Sequence, residues 1–240
     1  NDRDVERLKK EEKFANYSGS TDMGKLGIER YYEEQLHGTT GFEEVEINNR
    51  GKVIRKLREQ PATAGKSIHL TIDLALQRYI MSLLSGQKGA VVVLDPKDNS
   101  VLAMVSTPSY DNNLFVDGIS ASDYKRLLND PARPLYSRAT QGVYPPASTV
   151  KPFVAVAALT EGVITPHTTI FDPGYWTLPN STKRFRDWKK TGHGYTDLNK
   201  AITESSDTFF YQTAFNLGID RFSMWMKRFG FGMPTGIEIQ

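Results

Sequence analysis

The chain has 240 residues, of which 39% are hydrophobic and 24% charged, with a net charge of +2 and no cysteine. That length supports one sizeable domain with an appendage, and the near-balanced charge gives no bias toward nucleic acid. Disulfides are excluded, and no apolar run approaches the roughly 18 residues needed to span a bilayer.

Residues 1–66 are charged and punctuated by glycine. The stretch 2–14 alternates acid and base and predicts a solvated helix. Residues 30–36 predict a short helix ended by Gly38 and Gly41. Residues 42–48 then alternate like a strand, and Asn49-Arg50-Gly51-Lys52 predicts a hairpin turn into 53–57. This reads as a small α+β unit with little core of its own. The composition shifts at 61–65, a linker signal. Residues 67–72 alternate as a strand would, and 74–84 have helical apolar spacing. Two β-rich runs, 90–94 and 101–105, are joined by Asp95-Pro96-Lys97-Asp98-Asn99-Ser100, a strong hairpin signal. Both runs are apolar throughout, which predicts an antiparallel sheet covered by helices on both faces. Residues 153–159 form an apolar run long enough for a buried helix. Residues 173–194 are irregular, aromatic and basic. Residues 198–215 are helical but interrupted at Ser205-Ser206-Asp207, and 220–229 form a final amphipathic helix.

The chemistry is concentrated at Ser148-Thr149-Val150-Lys151. Three residues span about one helical turn, so a nucleophile and a base project from one face. A neutral serine hydroxyl needs a proton acceptor nearby, and a lysine serves when burial or positive charge lowers its pKa. The same spacing recurs at Ser85-Gly86-Gln87-Lys88 and Ser122-Asp123-Tyr124-Lys125. Ser85 lies in a polar connection, and Ser122 opens a charged segment, where serine is usually a helix cap. Ser148 instead follows the rigid Pro145-Pro146 and precedes the apolar run, with Pro152 in the first turn. It stands at a helix start, where free N–H groups and the dipole favour an oxyanion. The competing reading is that Ser148 only caps that helix.

Ser205-Ser206-Asp207 opens an aromatic helical run and can place a second hydroxyl over the first. Ser148-x-x-Lys151 followed by Ser205-x-Asp207 resembles the penicillin-binding transpeptidases and serine β-lactamases. The likeness is to the elongation class, class B, and covers nearly the whole chain. Gly24-x-x-Gly27-Ile28-Glu29-x-x-Tyr32 and Leu36-x-Gly38-x-x-Gly41 resemble the pedestal domain of class B enzymes. Ser106-Thr107-Pro108-Ser109-Tyr110-Asp111 and 138–151 resemble the start of the transpeptidase domain. The resemblance implies an α+β transpeptidase fold truncated before its C-terminal strands, with 1–66 as the end of a pedestal and linker and 67–240 as the first part of the catalytic domain.

By the same resemblance, Ser148 attacks the carbonyl between the terminal D-alanines of a peptidoglycan stem peptide and Lys151 takes its proton. Ser205 relays a proton to the leaving D-alanine, and Asp207 orients the network. The acyl group passes to an amine of a neighbouring stem peptide, and β-lactams acylate Ser148 as mimics. A membrane glycan polymerase and elongation-complex proteins are the implied partners, with no nucleic acid. The implied location is the bacterial inner membrane, with the catalytic domain in the periplasm. The chain starts at Asn1 without Met, and the expectation is a piece of a longer protein whose anchor lies elsewhere. A serine β-lactamase-like hydrolase and a non-catalytic β-lactam sensor are the alternatives.

Three departures from the family pattern stand out. Ala147 replaces a common glycine before the nucleophile, a slight change unless φ is positive there. Asp207 replaces the commoner asparagine. The third motif, Lys-Thr-Gly or Lys-Ser-Gly, is missing, since Pro234-Thr235-Gly236 lacks the lysine, so the expectation is that residues 1–240 alone are inactive. No cofactor is required. Some elongation-class relatives carry zinc near the cleft, completed by a cysteine between the second-motif serine and aspartate. Here Asp172, Asp187 and His193 are the metal candidates, and Ser206 stands in that cysteine's place, a far poorer zinc ligand, so that two carboxylates, one histidine and a water would bind zinc more weakly. The alternative makes Asp172 and Asp187 turn residues and His193 a surface loop residue. Lys183-Arg184-Phe185-Arg186 with Trp188-Lys189-Lys190 reads as a solvated loop, with anionic glycan or lipid head groups as the competing reading. His37, His69 and His167 show no acidic partner at useful spacing.

Overall fold

In the computed structural model, residues 2–18, 22–116 and 118–237 are described; the outer ends of the two expected domains, Asn1 and Gln240, lie outside them. The contacts divide the chain at Gly142/Val143.

The first unit begins with α1 (Asp2–Lys10), α2 (Phe14–Tyr17), α3 (Gly27–Tyr31) and α4 (Glu33–Leu36). The expected single helix over 30–36 is thus two short pieces meeting at Tyr32. Lys13 pairs with Glu34 and Lys25 with Asp4, tying α1 and α2 to the later pieces. His37 stacks on Tyr17 and lies 3.6 Å from Glu33, one turn earlier. It therefore has the acidic partner that its spacing seemed to deny. β1 (Phe42–Ile47) and β2 (Val53–Gln60) form an antiparallel hairpin. Asn48 closes its turn by accepting from the N–H groups of Arg50 and Lys52. Every residue of β2 is exposed, as a unit with little core should show.

The segment expected as a linker bonds back to the chain after α4. Thr39 and Thr63 exchange backbone hydrogen bonds of 2.9 Å. Chain and α4 approach so closely that a Cβ on Gly65 would lie 1.8 Å from Leu36 O, so only glycine fits. The alternating 67–72 stretch forms no strand. α5 (Leu74–Leu83) is capped by Asp73, which accepts from Leu76 N at 3.0 Å. β3 (Gly89–Leu94) pairs antiparallel with β4 (Val101–Thr107). α5 packs on this hairpin through Ile80 against Ala103 and Val105, and Gln77 bonds both backbone polar groups of Met104. Val92 and Leu94 of this hairpin are exposed. A 3₁₀ turn (Asn112–Phe115) and α6 (Ala121–Asn129) follow. Ser120, not Ser122, caps α6.

The second unit contains a 3₁₀ turn (Ala147–Val150), α7 (Lys151–Thr160), β5 (Ile170–Asp172), β6 (Tyr175–Thr177), β7 (Arg184–Arg186), β8 (Gly194–Thr196), α8 (Leu198–Thr203), α9 (Asp207–Leu217) and α10 (Ile219–Arg228). The apolar run makes α7 the centre. Val154, Ala155 and Ala158 pack with Ile164, Ala201, Phe209, Phe210 and Met226. Alanines on α7 and α8 let the helices approach, and Phe209, fully buried, contributes about 2–3 kcal/mol through area removed from water. β5 pairs with β8 and β6 with β7, both antiparallel, so the irregular basic stretch folds as two small ribbons.

Candidate active site

Two chain turns build the site, one before α7 and one before α9. The 3₁₀ turn presents Ser148 at the surface and carries the chain into α7, whose first residue, Lys151, is buried. Pro152 falls within the first turn, where its missing N–H costs nothing. Ala147 has φ +50°, so the replacement of glycine is not slight. A left-handed alanine costs on the order of 1 kcal/mol, which the surrounding packing must offset.

The second turn joins α8 to α9. Ser205 also sits left-handed, at φ +54°. Its hydroxyl donates to Ser148 Oγ at 2.9 Å. Lys151 Nζ donates to Ser205 O at 2.8 Å, to Ser205 Oγ at 3.0 Å and to Asp207 Oδ1 at 2.6 Å. An ammonium has three hydrogens, and all three are placed. Ser148, Ser205, Lys151 and Asp207 thus form one continuous array. The nucleophile's contact is with Ser205, and Lys151 stands behind it. Lys151 Nζ also lies 5.7 Å from the Phe210 ring centre, on the buried side.

Behind α9 lies a second cluster. Asp172, Asp187 and His193 each offer a ligand atom, all within 4.8 Å of one another, and all three are buried. His193 is therefore not a surface loop residue. Gly192 has φ +73°, and a Cβ there would meet Asp172 O at 2.1 Å, so glycine lets the loop fold onto β5. The turn bonds are present too: Asp172 Oδ1 accepts from Gly174 N and Asp187 Oδ1 from Lys189 N. Asp187 Oδ2 accepts from the N–H groups of Asp207 and Thr208, at 2.7 and 2.9 Å. Burial pushes the Asp187 carboxyl up, but these N–H groups outweigh it and hold it below the usual carboxylate range. His193 Nδ1 lies 2.6 Å from Glu204 Oε2, and Nε2 lies 3.3 Å from Asp187 Oδ1. The histidine hydrogen bond holds Glu204 low. Sequence reasoning missed Glu204 and the grip of Asp187 on α9; the one available signal was Glu204's position directly before the Ser205 motif.

Of the other candidates, Lys183 just before β7 and Arg184 and Arg186 on it are exposed. Phe185 packs with Trp176 and Tyr211, and Trp188 is 64% exposed. Ser85 and Ser122 join no such array.

The comparisons with known proteins agree with this geometry. Residues 89–240 match the penicillin binding protein transpeptidase domain, and residues 1–70 match the penicillin-binding protein dimerisation domain. The chain is 85% identical over its full length to the peptidoglycan D,D-transpeptidase MrdA of Haemophilus influenzae, and spans 37% of that protein. Among solved structures, it resembles Pseudomonas aeruginosa PBP2 in complex with WCK 5153, with TM-score 0.81 and 47% identity over 95% of this chain and 46% of that one. It also resembles PBP2 in its complex with MreC from Helicobacter pylori, with TM-score 0.84 and 34% identity over 97% of this chain and 42% of that one. With the Ser148–Ser205–Lys151–Asp207 array in its matched region, the chain belongs to the penicillin-binding protein transpeptidase family.

Proposed function

We propose that this chain carries the nucleophile and proton-transfer groups of a peptidoglycan D,D-transpeptidase, with Ser148 as the acylated residue. The observation that carries the reading is the unbroken array from Ser148 through Ser205 to Lys151 and Asp207. The chain spans under two-fifths of the curated relative it matches, so the reaction is assigned to the protein of which it forms part.

The sequence expectation had Lys151 taking the Ser148 proton directly; the distances favour a path through Ser205. From a neutral Lys151 amine, the Ser148 proton passes to Ser205 Oγ as the Ser205 proton passes to Nζ. Ser148 Oγ then bonds to the carbonyl carbon of the penultimate D-alanine of a stem peptide. The C–N bond to the terminal D-alanine breaks, and the leaving amine collects its proton back through Ser205. An amine of a second stem peptide attacks the ester, forms the cross-link and frees Ser148. Asp207 holds Lys151 Nζ in place and pairs with its charge once the proton arrives. β-Lactams would enter as mimics of the D-Ala-D-Ala end.

Residues 1–66 are assigned to a pedestal and 67–240 to the first part of the catalytic domain, in keeping with the two family matches. Among the described residues no helix is long and apolar enough to cross a membrane. We infer from the family resemblance that the parent protein works at the inner membrane facing the periplasm, beside a glycan-polymerising partner. The Helicobacter complex supports an elongation-complex partner of the MreC kind. Mass spectrometry of the full-length protein after penicillin treatment tests the reading. A single adduct on Ser148 is expected; an adduct elsewhere, or none, sinks it.

A further inference from the structure

Asp172, Asp187, His193 and Ser206 are grouped like a metal centre, yet the donor set lacks the fourth protein ligand of a closed structural zinc site. Closed structural zinc sites use four protein ligands of the thiolate and imidazole kind. Here the fourth group is a neutral alcohol whose hydrogen is already committed. Ser206 Oγ donates to Asp172 Oδ2 at 2.9 Å and lies 3.4 Å from Asp187 Oδ2. The same oxygen accepts from Phe209 N at 3.2 Å and so caps α9. The Glu204 carboxylate behind His193 is an arrangement that metal-bound histidines share. Ser206 is therefore the residue that discriminates.

We propose that these four residues form a metal-independent brace that positions the second catalytic motif. The inference rests on the reading of Ser205 and Asp207 given above. Two links reach that motif. Asp187 takes the N–H groups of Asp207 and Thr208, the first two of α9, where a carboxylate also complements the helix dipole. Ser206, between Ser205 and Asp207 in sequence, fastens the same turn to Asp172 on β5. Neither link needs a cation to bridge it. All four residues are buried, Ser206 completely, so solvent does not compete for these hydrogen bonds. Asp187 and Ser206 act as positioning residues: they touch no reacting atom but fix the backbone from which Ser205 and Asp207 project.

The test uses the full-length protein equilibrated with zinc sulfate and desalted. Metal content is then read by mass spectrometry and the melting temperature taken with and without a strong chelator. Wild type should retain less than about one-tenth of an equivalent of zinc and melt within about 1 °C with or without chelator, whereas Ser206→Cys should take up about one equivalent. Wild type retaining about half an equivalent or more, a chelator-induced drop of several degrees, or a zinc-free Ser206→Cys overturns the proposal. For positioning, Asp187→Asn should slow acylation by a fluorescent penicillin about tenfold or more at a temperature where it is folded, in the rate constant rather than the binding constant. Acylation at the wild-type rate overturns the positioning role. If Asp187→Asn does not fold, Ser206→Ala carries the same measurement. Zinc content and melting do not depend on acylation. A missing Ser148 adduct would sink the functional reading and leave those results interpretable.

Discussion

Ser205→Ala is the substitution that separates a relayed proton from a direct one. Ser205 Oγ stands 2.9 Å from Ser148 Oγ and 3.0 Å from Lys151 Nζ, and it is the group that joins them. Removing it leaves Ser148 without its hydrogen-bonded contact. A positioned acid–base group is worth about 10²–10⁴ in rate, or about 3–5 kcal/mol of barrier. The backbone should not register the change, because alanine meets the same cost as serine at φ +54°. Lys151 keeps its bonds to Ser205 O and Asp207, so the folded state loses one half-buried and one exposed hydrogen bond, about 1–2 kcal/mol in all. The assay is the second-order acylation rate of the full-length protein by a fluorescent penicillin, with thermal melting alongside. A loss of at least about a hundredfold with little change in melting is expected. A loss under about tenfold would mean that Lys151 reaches Ser148 unaided, and would refute the relay.

Two further outcomes follow from the geometry. Ala147→Gly should leave stability unchanged or raise it by up to about 1 kcal/mol, because relief at φ +50° offsets the greater freedom of the unfolded chain; a fall of about 1 kcal/mol in chemical denaturation would show that the turn does not strain alanine. Burial, then the Glu33 hydrogen bond, pushes the Tyr17 hydroxyl from 10.0 up to about 12. The raised value favours the folded state below pH about 10, and that contribution disappears as pH climbs toward 12. Tyr17→Phe should remove this alkaline dependence, about 1 kcal/mol after solvent screening, seen as parallel rather than diverging melting curves above pH 10.

What the residues disclosed in advance was mostly what spacing can encode. Ser148 and Lys151 are one turn apart, and an interrupted helix at 205–207 implied a turn that could face them. Apolar runs placed α7, α9 and the β3–β4 hairpin. Backbone angles were not legible: Ala147 and Ser205 are left-handed although neither residue type asks for it. Nor was the alternation at 67–72 a strand, since alternation supplies a pattern of side chains but no neighbouring backbone to bond. Continuous apolar sequence in β3 and β4 did not disclose which positions stay open to solvent, such as Val92 and Leu94. Pairings across sequence distance, such as Asp187 with the start of α9, need the fold before they can be seen.

The saturation of Lys151 also divides labour within the site. Its three hydrogens end on Ser205 and Asp207, and its side chain is 10% exposed. An amine so engaged has nothing to offer an arriving anion without giving up a partner. On the proposed function, a donor peptide's terminal carboxylate is read by groups other than Lys151, and charge reversal at the peptide's end should then alter binding while leaving the chemistry at Ser148 untouched.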